Sequence, residues 1–168
     1  DLLAQYSKGI IGLSACLQGD INETLLADQY AEARRMAHSY EDLLGKGNFF
    51  LEVQDHGMAE QHALTRKLLK LGPEVGLPFV ATNDLHYTKA EDAQAHAVLL
   101  CVQSGSNLAD PKRFKFDADD FYLKSPEEMR HLWRELPQAC DATLEIAERC
   151  NVTFTEGANL MPRFPVPE

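Results

Sequence analysis

Pro78-Phe79-Val80-Ala81-Thr82-Asn83-Asp84-Leu85-His86-Tyr87 runs from a short apolar stretch straight into a polar turn. A run of this length, bounded by turn formers, fits a strand buried on both faces. Two similar runs precede it. Gly9-Ile10-Ile11-Gly12-Leu13-Ser14 leads into Ala15-Cys16-Leu17-Gln18-Gly19-Asp20, and Phe49-Phe50-Leu51-Glu52-Val53 leads into Gln54-Asp55-His56-Gly57. Between the runs the periodicity becomes helical. Leu26, Tyr30, Ala33, Ala37, Tyr40 and Leu44 recur every three or four residues, predicting one helix that Gly45 and Gly47 end. Leu64, Leu68, Leu71 and Val75 mark a second, before Gly76. A third is expected to open with Thr88 and Glu91 at capping-box spacing and to bury Ala93, Ala97 and Leu100. Strands alternating with helices predict an α/β fold, a parallel sheet joined by right-handed crossovers.

Beyond residue 103 that rhythm stops. Residues 104–120 are polar and turn-rich, and Phe121-Tyr122-Leu123-Lys124 predicts a short strand. Ser125-Pro126-Glu127-Glu128 combines an N-cap, a proline at the first helical position and a glutamate three residues on. A helix bearing Met129, Leu132, Trp133 and Leu136 follows, then another from Pro137 to about Cys150. The expected organisation is βα units over 1–103, a post-barrel strand and helices over 104–150, and a linker over 151–168 that ends on Pro165-Val166-Pro167-Glu168. A complete (β/α) barrel needs ~200 residues or more. With 168 residues opening at Asp1, the sequence reads as a piece of a longer chain.

Composition narrows the function classes. At 45% hydrophobic and 25% charged, the chain suits a globular domain. Sixteen Lys and Arg against 26 Asp and Glu leave a formal charge of -10, which argues against a broad grip on nucleic acid. The largest basic cluster, Lys112, Arg113 and Lys115, reads as a solvated loop rather than a phosphate clamp. No apolar run approaches the ~18 residues of a membrane span, and no signal peptide is visible. The four cysteines form no CxxC pair and read as reduced thiols of a cytosolic protein. Cys101, Cys140 and Cys150 fall on amphipathic stretches and are expected in the core.

Chemistry in βα folds collects at the carboxyl ends of the strands. There the sequence puts Cys16 after the first strand, Asp55 and His56 after the second, and Asp84 and His86 after the third. Thiol, carboxylate and imidazole are metal-ligand types. Asp84 and His86 are one residue apart, so an extended segment would point both side chains the same way. Other readings compete. Asp84 alone would cap a turn, His86 would satisfy a buried carbonyl, and Cys16 would be a structural thiol. His56 reads equally as a turn residue before Gly57. His38, His62, His96 and His131 lie on helical stretches as surface or packing residues.

The string Gly12-Leu13-Ser14-Ala15-Cys16-Leu17-Gln18-Gly19-Asp20-Ile21 resembles the PHP (polymerase and histidinol phosphatase) domain of the bacterial DNA polymerase III alpha subunit family. So do Phe50-Leu51-Glu52-Val53-Gln54-Asp55-His56-Gly57 and Val80-Ala81-Thr82-Asn83-Asp84-Leu85-His86-Tyr87. Phe121 to Met129 and Leu144 to Cys150 resemble the same family just past the barrel. The resemblance covers nearly the whole chain and implies the second half of a distorted (β/α)7 PHP barrel followed by a small helical connector. It makes Cys16, Asp84 and His86 metal ligands, with Glu52, Asp55 and His56 possible lining residues. Ala15 departs from the family's usual glycine. Zinc would suit the His and Cys ligands, and the carboxylate would also admit manganese or magnesium.

The implied parent is a cytoplasmic replicative polymerase whose partners are DNA at the primer 3′ end, the rest of its own chain and other replisome subunits such as a sliding clamp. An amino-terminal His-x-His and the palm aspartates would lie outside this sequence, so the chain alone would be inactive. The barrel is expected to act as a metal-dependent 3′–5′ exonuclease. It would otherwise be a silent platform that binds a proofreading subunit, or a stand-alone phosphatase of the same superfamily.

Overall fold

Phe49–Val53 forms the longest strand among the described residues, and it takes the centre of the sheet. The computed structural model describes residues 2–158, 161 and 162. In chain order the elements are α1 (Leu2–Tyr6), β1 (Gly12–Leu13), α2 (Asp20–Leu26), α3 (Tyr30–Leu44), β2 (Phe49–Val53), α4 (Ala59–Val75) and β3 (Phe79–Ala81). Then come α5 (Ala93–Ser104), α6 (Pro126–Leu132) and α7 (Pro137–Arg149). The strands lie parallel in the order β1-β2-β3, with Gly12 opposite Phe49 and Leu51 opposite Phe79. They form an open sheet of three strands, part of a (β/α) barrel rather than a closed one.

Alternation along β2 divides the packing. Phe49, Leu51 and Val53 join one core with Leu25, Ala33, Ala37, Leu64, Leu68 and Leu71 of the crossover helices. Phe50 and Val80 pack with Ala142 and Ile146 of α7 in another cluster. Burying one such large side chain stabilises by about 1.5–3 kcal/mol over leaving it exposed. Most of the nearly solvent-free side chains are in β2, α4 and α2, so the sheet centre and its crossovers anchor the loops at the strand ends. α4 lies so close to β3 that a Cβ on Gly72 would sit 2.4 Å from the Phe79 ring. The connector is packed onto the sheet: Trp133, Leu136, Ala139 and Cys140 belong to the main core, and Arg149 donates to the Gly47 carbonyl at 3.0 Å.

The structure differs from the sequence reading in several places. β1 is two residues long, because Gly9 at φ +83° turns the chain and only Gly12 and Ser14 donate across to Asn48 and Phe50. The helix expected through Leu26–Leu44 is broken at Asp28, whose φ is +59°. Lys67 bridges that corner, donating to the Leu25 carbonyl at 2.7 Å and the Asp28 carboxylate at 2.5 Å. Ahead of α5, the Lys89 N–H donates to the Asp92 carboxylate, so Thr88 is not the cap. On α5 only Cys101 is buried, while Ala93, Ala97 and Leu100 are half-buried. Cys150 lies past the last turn of α7 and is exposed rather than in the core.

The strand expected at Phe121–Lys124 reduces to one parallel bridge, Tyr87 to Tyr122. The helix start at Ser125 forms as read: Ser125 Oγ accepts from the Glu128 N–H at 3.2 Å and Glu128 accepts from the Ser125 N–H at 2.7 Å. Residues 151–158 carry no helix or strand, and Pro165-Val166-Pro167-Glu168 lies outside the described residues. No helix among the described residues is long and apolar enough to cross a membrane.

Candidate metal centre at the strand ends

The loop after β1 is held from within. Asn22, fully buried at the start of α2, donates through Nδ2 to the carbonyls of Cys16 at 2.7 Å and Ala15 at 3.0 Å. The Gly19 N–H donates to the Cys16 carbonyl at 2.9 Å. A Cβ on Gly19 would lie 2.2 Å from the Ser14 carbonyl oxygen, so the loop closes only around glycine. Ala15 sits at φ +66°, a left-handed conformation that glycine adopts freely and alanine does not. A glycine at this position would be free of that strain.

The loop after β3 is held from a distance. Asn83 Nδ2 donates to the carbonyls of Asp120 at 2.9 Å and Tyr122 at 2.8 Å. The His86 N–H donates to the Phe121 carbonyl at 2.9 Å, and the Leu123 N–H to Thr88 at 3.3 Å. Asp84 has φ +43°, in the left-handed region, so Asp-x-His is not the extended segment expected. Its two side chains come together by another route. His86 Nδ1 lies 2.6 Å from the Asp84 carbonyl oxygen. A carbonyl only accepts, so Nδ1 carries the proton and the Nε2 lone pair is left for a ligand. A ligating histidine is commonly oriented by such a bond from its other nitrogen.

Cys16, Asp84 and His86 line one cavity of about 350 Å³, with Gln54, Lys115 and Phe116. Asp84 Oδ1 is 3.9 Å from His86 Nδ1. The donor chemistry suits a zinc- or manganese-type ion, and these three residues would hold part of it. They do not close a site: among the described residues no group of three or more His, Cys, Asp or Glu gathers closely enough to hold a metal ion.

The other lining residues divide. Glu52 accepts from the Thr82 hydroxyl and from Gln54 Nε2, and with Cys16 borders a space of about 10 Å³. Asp55 and His56 lie away from the Asp84–His86 cavity. Asp55 accepts from the Gly57 N–H and faces His62 Nε2 at 2.9 Å, outside the Cys16 cavity. His56 is buried, its Nε2 donating to the Asn83 carbonyl at 3.0 Å while Gln61 Nε2 donates to Nδ1 at 2.7 Å. With both ring nitrogens engaged and its ring stacked on Phe121 at 4.1 Å, His56 pins the second loop to the third and has no lone pair for a metal.

Sequence reasoning missed an aromatic row beside the cavity. Tyr87, His96, Phe116, His86 and Phe121 follow one another with ring centroids 4.7–5.5 Å apart. Burial first, then the neighbouring His86, holds the His96 pKa below its ordinary value and favours the neutral ring. The available signal was Phe114-Lys115-Phe116, aromatic residues interleaved with the basic cluster. Arg113 and Lys115 line cavities rather than serving only as a solvated loop.

Residues 1–56 match the PHP domain. The chain is 49% identical over 150 residues to the DNA polymerase III subunit alpha of Saccharopolyspora erythraea, covering 89% of this chain and 13% of that protein. It is 42% identical over 167 residues to that of Treponema pallidum (99% and 14%) and 42% over 179 residues to that of Thermus aquaticus (100% and 14%). The chain therefore spans 13–14% of the length of these relatives.

Proposed function

The chain belongs to the DNA polymerase III alpha subunit family, as a segment that includes part of the PHP domain, and we propose that its strand-end rim supplies part of a metal-dependent 3′–5′ exonuclease that removes misincorporated nucleotides. The observation carrying this reading is the orientation of His86. Its Nδ1–H is committed to the Asp84 carbonyl, so Nε2 remains for a cation in a cavity shared with a carboxylate and a thiol. When bound, divalent cations supply Lewis-acid activation of water and neutralise charge on a phosphoryl group. The chain's own contribution is to orient His86 through Phe121, place the Asp84 carboxylate beside it and present the Cys16 thiol from the facing loop.

The parent protein would be a DNA-directed DNA polymerase of the cytoplasm, acting on a primer 3′ end with other replisome subunits, among them a sliding clamp. The similarity extends through residues 104–150, past the PHP match, which supports a polymerase setting over a stand-alone phosphatase. In the full-length alpha subunit, His86→Ala should abolish removal of a mismatched 3′ end and leave nucleotide addition largely unchanged. Outer residues around metal sites alone cost about 10–100-fold on mutation, so losing a ligand should cost at least that. Trimming at the parent's rate would sink the exonuclease reading.

The alternative is a silent platform that binds a separate proofreading subunit; the three candidate ligands do not by themselves close a site, which both readings allow. Metal content separates the two. An active barrel retains stoichiometric zinc or manganese after dialysis of the full-length subunit, whereas the platform does not. On the exonuclease reading the 168-residue chain alone binds these ions poorly and is inactive, because the remaining ligands come from elsewhere in the parent. Calorimetric titration of the chain with zinc checks this. Tight uptake of several ions would show that the site is complete without them.

A further inference from the structure

Beside the candidate metal cavity lies a separate one of about 240 Å³, between α5 and residues 113–119. Tyr87, His96 and Leu100 line it from the side of α5, and Arg113, Lys115 and Phe116 from the loop beyond. Phe116 and Lys115 also border the cavity that holds Cys16, Asp84 and His86, so the two spaces meet across them. Clefts that enclose drug-sized ligands measure about 300–1,000 Å³. This one has the room of a single ring system.

Its chemistry is that of a stacking platform. The His96 and Phe116 centroids are 5.2 Å apart at 32°, with Tyr87 5.3 Å from His96. In a chain of net charge -10, this cavity sets two cations against one carboxylate, Asp119. Neither Arg113 nor Lys115 is in a salt bridge among the described residues. Proteins that hold single-stranded nucleic acid combine the same two features, aromatic faces for bases and cations for the backbone. Duplex would not fit, since a paired base cannot enter a space this small.

We propose that this cavity is the subsite for the unpaired 3′-terminal base of a single strand, stacked on Phe116 and His96. Arg113 and Lys115 meet its phosphates and direct the scissile bond into the neighbouring cavity. The subsite rests on the phosphodiesterase reading of that cavity, and it would make mismatched or frayed ends the preferred substrate.

The test uses the full-length alpha subunit in EDTA and a single-stranded oligonucleotide with 2-aminopurine at its 3′ terminus. Stacking quenches this base, and without divalent metal nothing is cleaved. Phe116→Ala should weaken binding about 5- to 150-fold, the loss of one base–aromatic stack, and should restore fluorescence. Phe116→Trp should keep both at the parent's level. Because Phe116 also touches His86 at 4.7 Å, Leu100→Trp provides an independent arm, filling the cavity from α5, and should reproduce the loss. Arg113→Gln with Lys115→Gln should flatten the salt dependence by about one phosphate contact each. Unchanged quenching in Phe116→Ala, or normal binding in Leu100→Trp, overturns the subsite. The two readings fail separately. Quenching that depends on Phe116, without mismatch removal in zinc, manganese or magnesium, leaves the subsite standing and removes the exonuclease. Mismatch removal without such quenching does the reverse.

Discussion

Cys16 and the Asp84–His86 pair face one cavity, yet their loops are built by opposite means. The Cys16 loop is fastened by residues within seven positions of it, the Gly19 turn and the buried Asn22 amide. The Asp84–His86 loop is fastened by residues 120–123, more than thirty positions away, and by His56 from the neighbouring strand end. The Cys16 loop can thus form as soon as its own helix forms. The other waits for a chain segment that lies beyond the βα units. This makes the post-barrel segment part of the site: it sets the ring of His86 through a backbone bond and an aromatic contact.

The sharpest break of that contrast is Phe121→Ala. Phe121 is 5% exposed and touches His56, His86 and Phe116. Truncating a buried Phe typically costs about 3–5 kcal/mol, and urea unfolding of the chain should show a loss in that range. Hydrogen exchange should accelerate at His86 and Tyr87 while the Gly19 amide stays protected. Equal loosening of both loops would mean that they form one unit.

Gly19→Ala is the converse, with a somewhat smaller effect. The added methyl meets a backbone carbonyl that cannot rotate away, and overpacking of this kind costs about 1–3 kcal/mol. Exchange should rise at Gly19 and Glu23 and leave His86 unchanged. If the Asp84–His86 loop loosens as well, the two halves of the cavity are coupled through their walls.

This difference in range also explains what was legible in sequence. β2, the α4 stripe and the Ser125 cap are written in adjacent residues, and each formed where it was read. The position of Cys16 at a strand end is local too. The roles of His56, His96 and Phe116 are not, because each depends on a partner in another loop. His56 looks like a rim residue until Asn83 and Gln61 are seen to occupy both its nitrogens. Asp84 and His86 come together through a left-handed backbone at Asp84, which the spacing of two residues did not reveal. The break at Asp28 was hidden because the apolar stripe continues across it.

The smallest expected effect has the opposite sign and is confined to the local loop. Ala15 is exposed and sits at φ +66°, where an L-residue bears about 1–2 kcal/mol of strain. Ala15→Gly removes that strain and forfeits little packing, while glycine's freer unfolded chain takes back about 0.4–1 kcal/mol. The net gain should be about 0.5–1 kcal/mol, read as a higher urea midpoint with an unchanged slope. A lower midpoint would mean that the alanine methyl, near Gly19, holds the Cys16 turn closed more than the backbone strain opens it. The distant loop offers no matching relief. Asp84 at φ +43° is strained in the same sense, but glycine there would delete the carboxylate next to His86. Strain that is incidental in the first loop is therefore tied to the candidate ligand in the second. Asp84→Asn, which tolerates the left-handed region, should leave stability near that of the parent chain and remove only the charge.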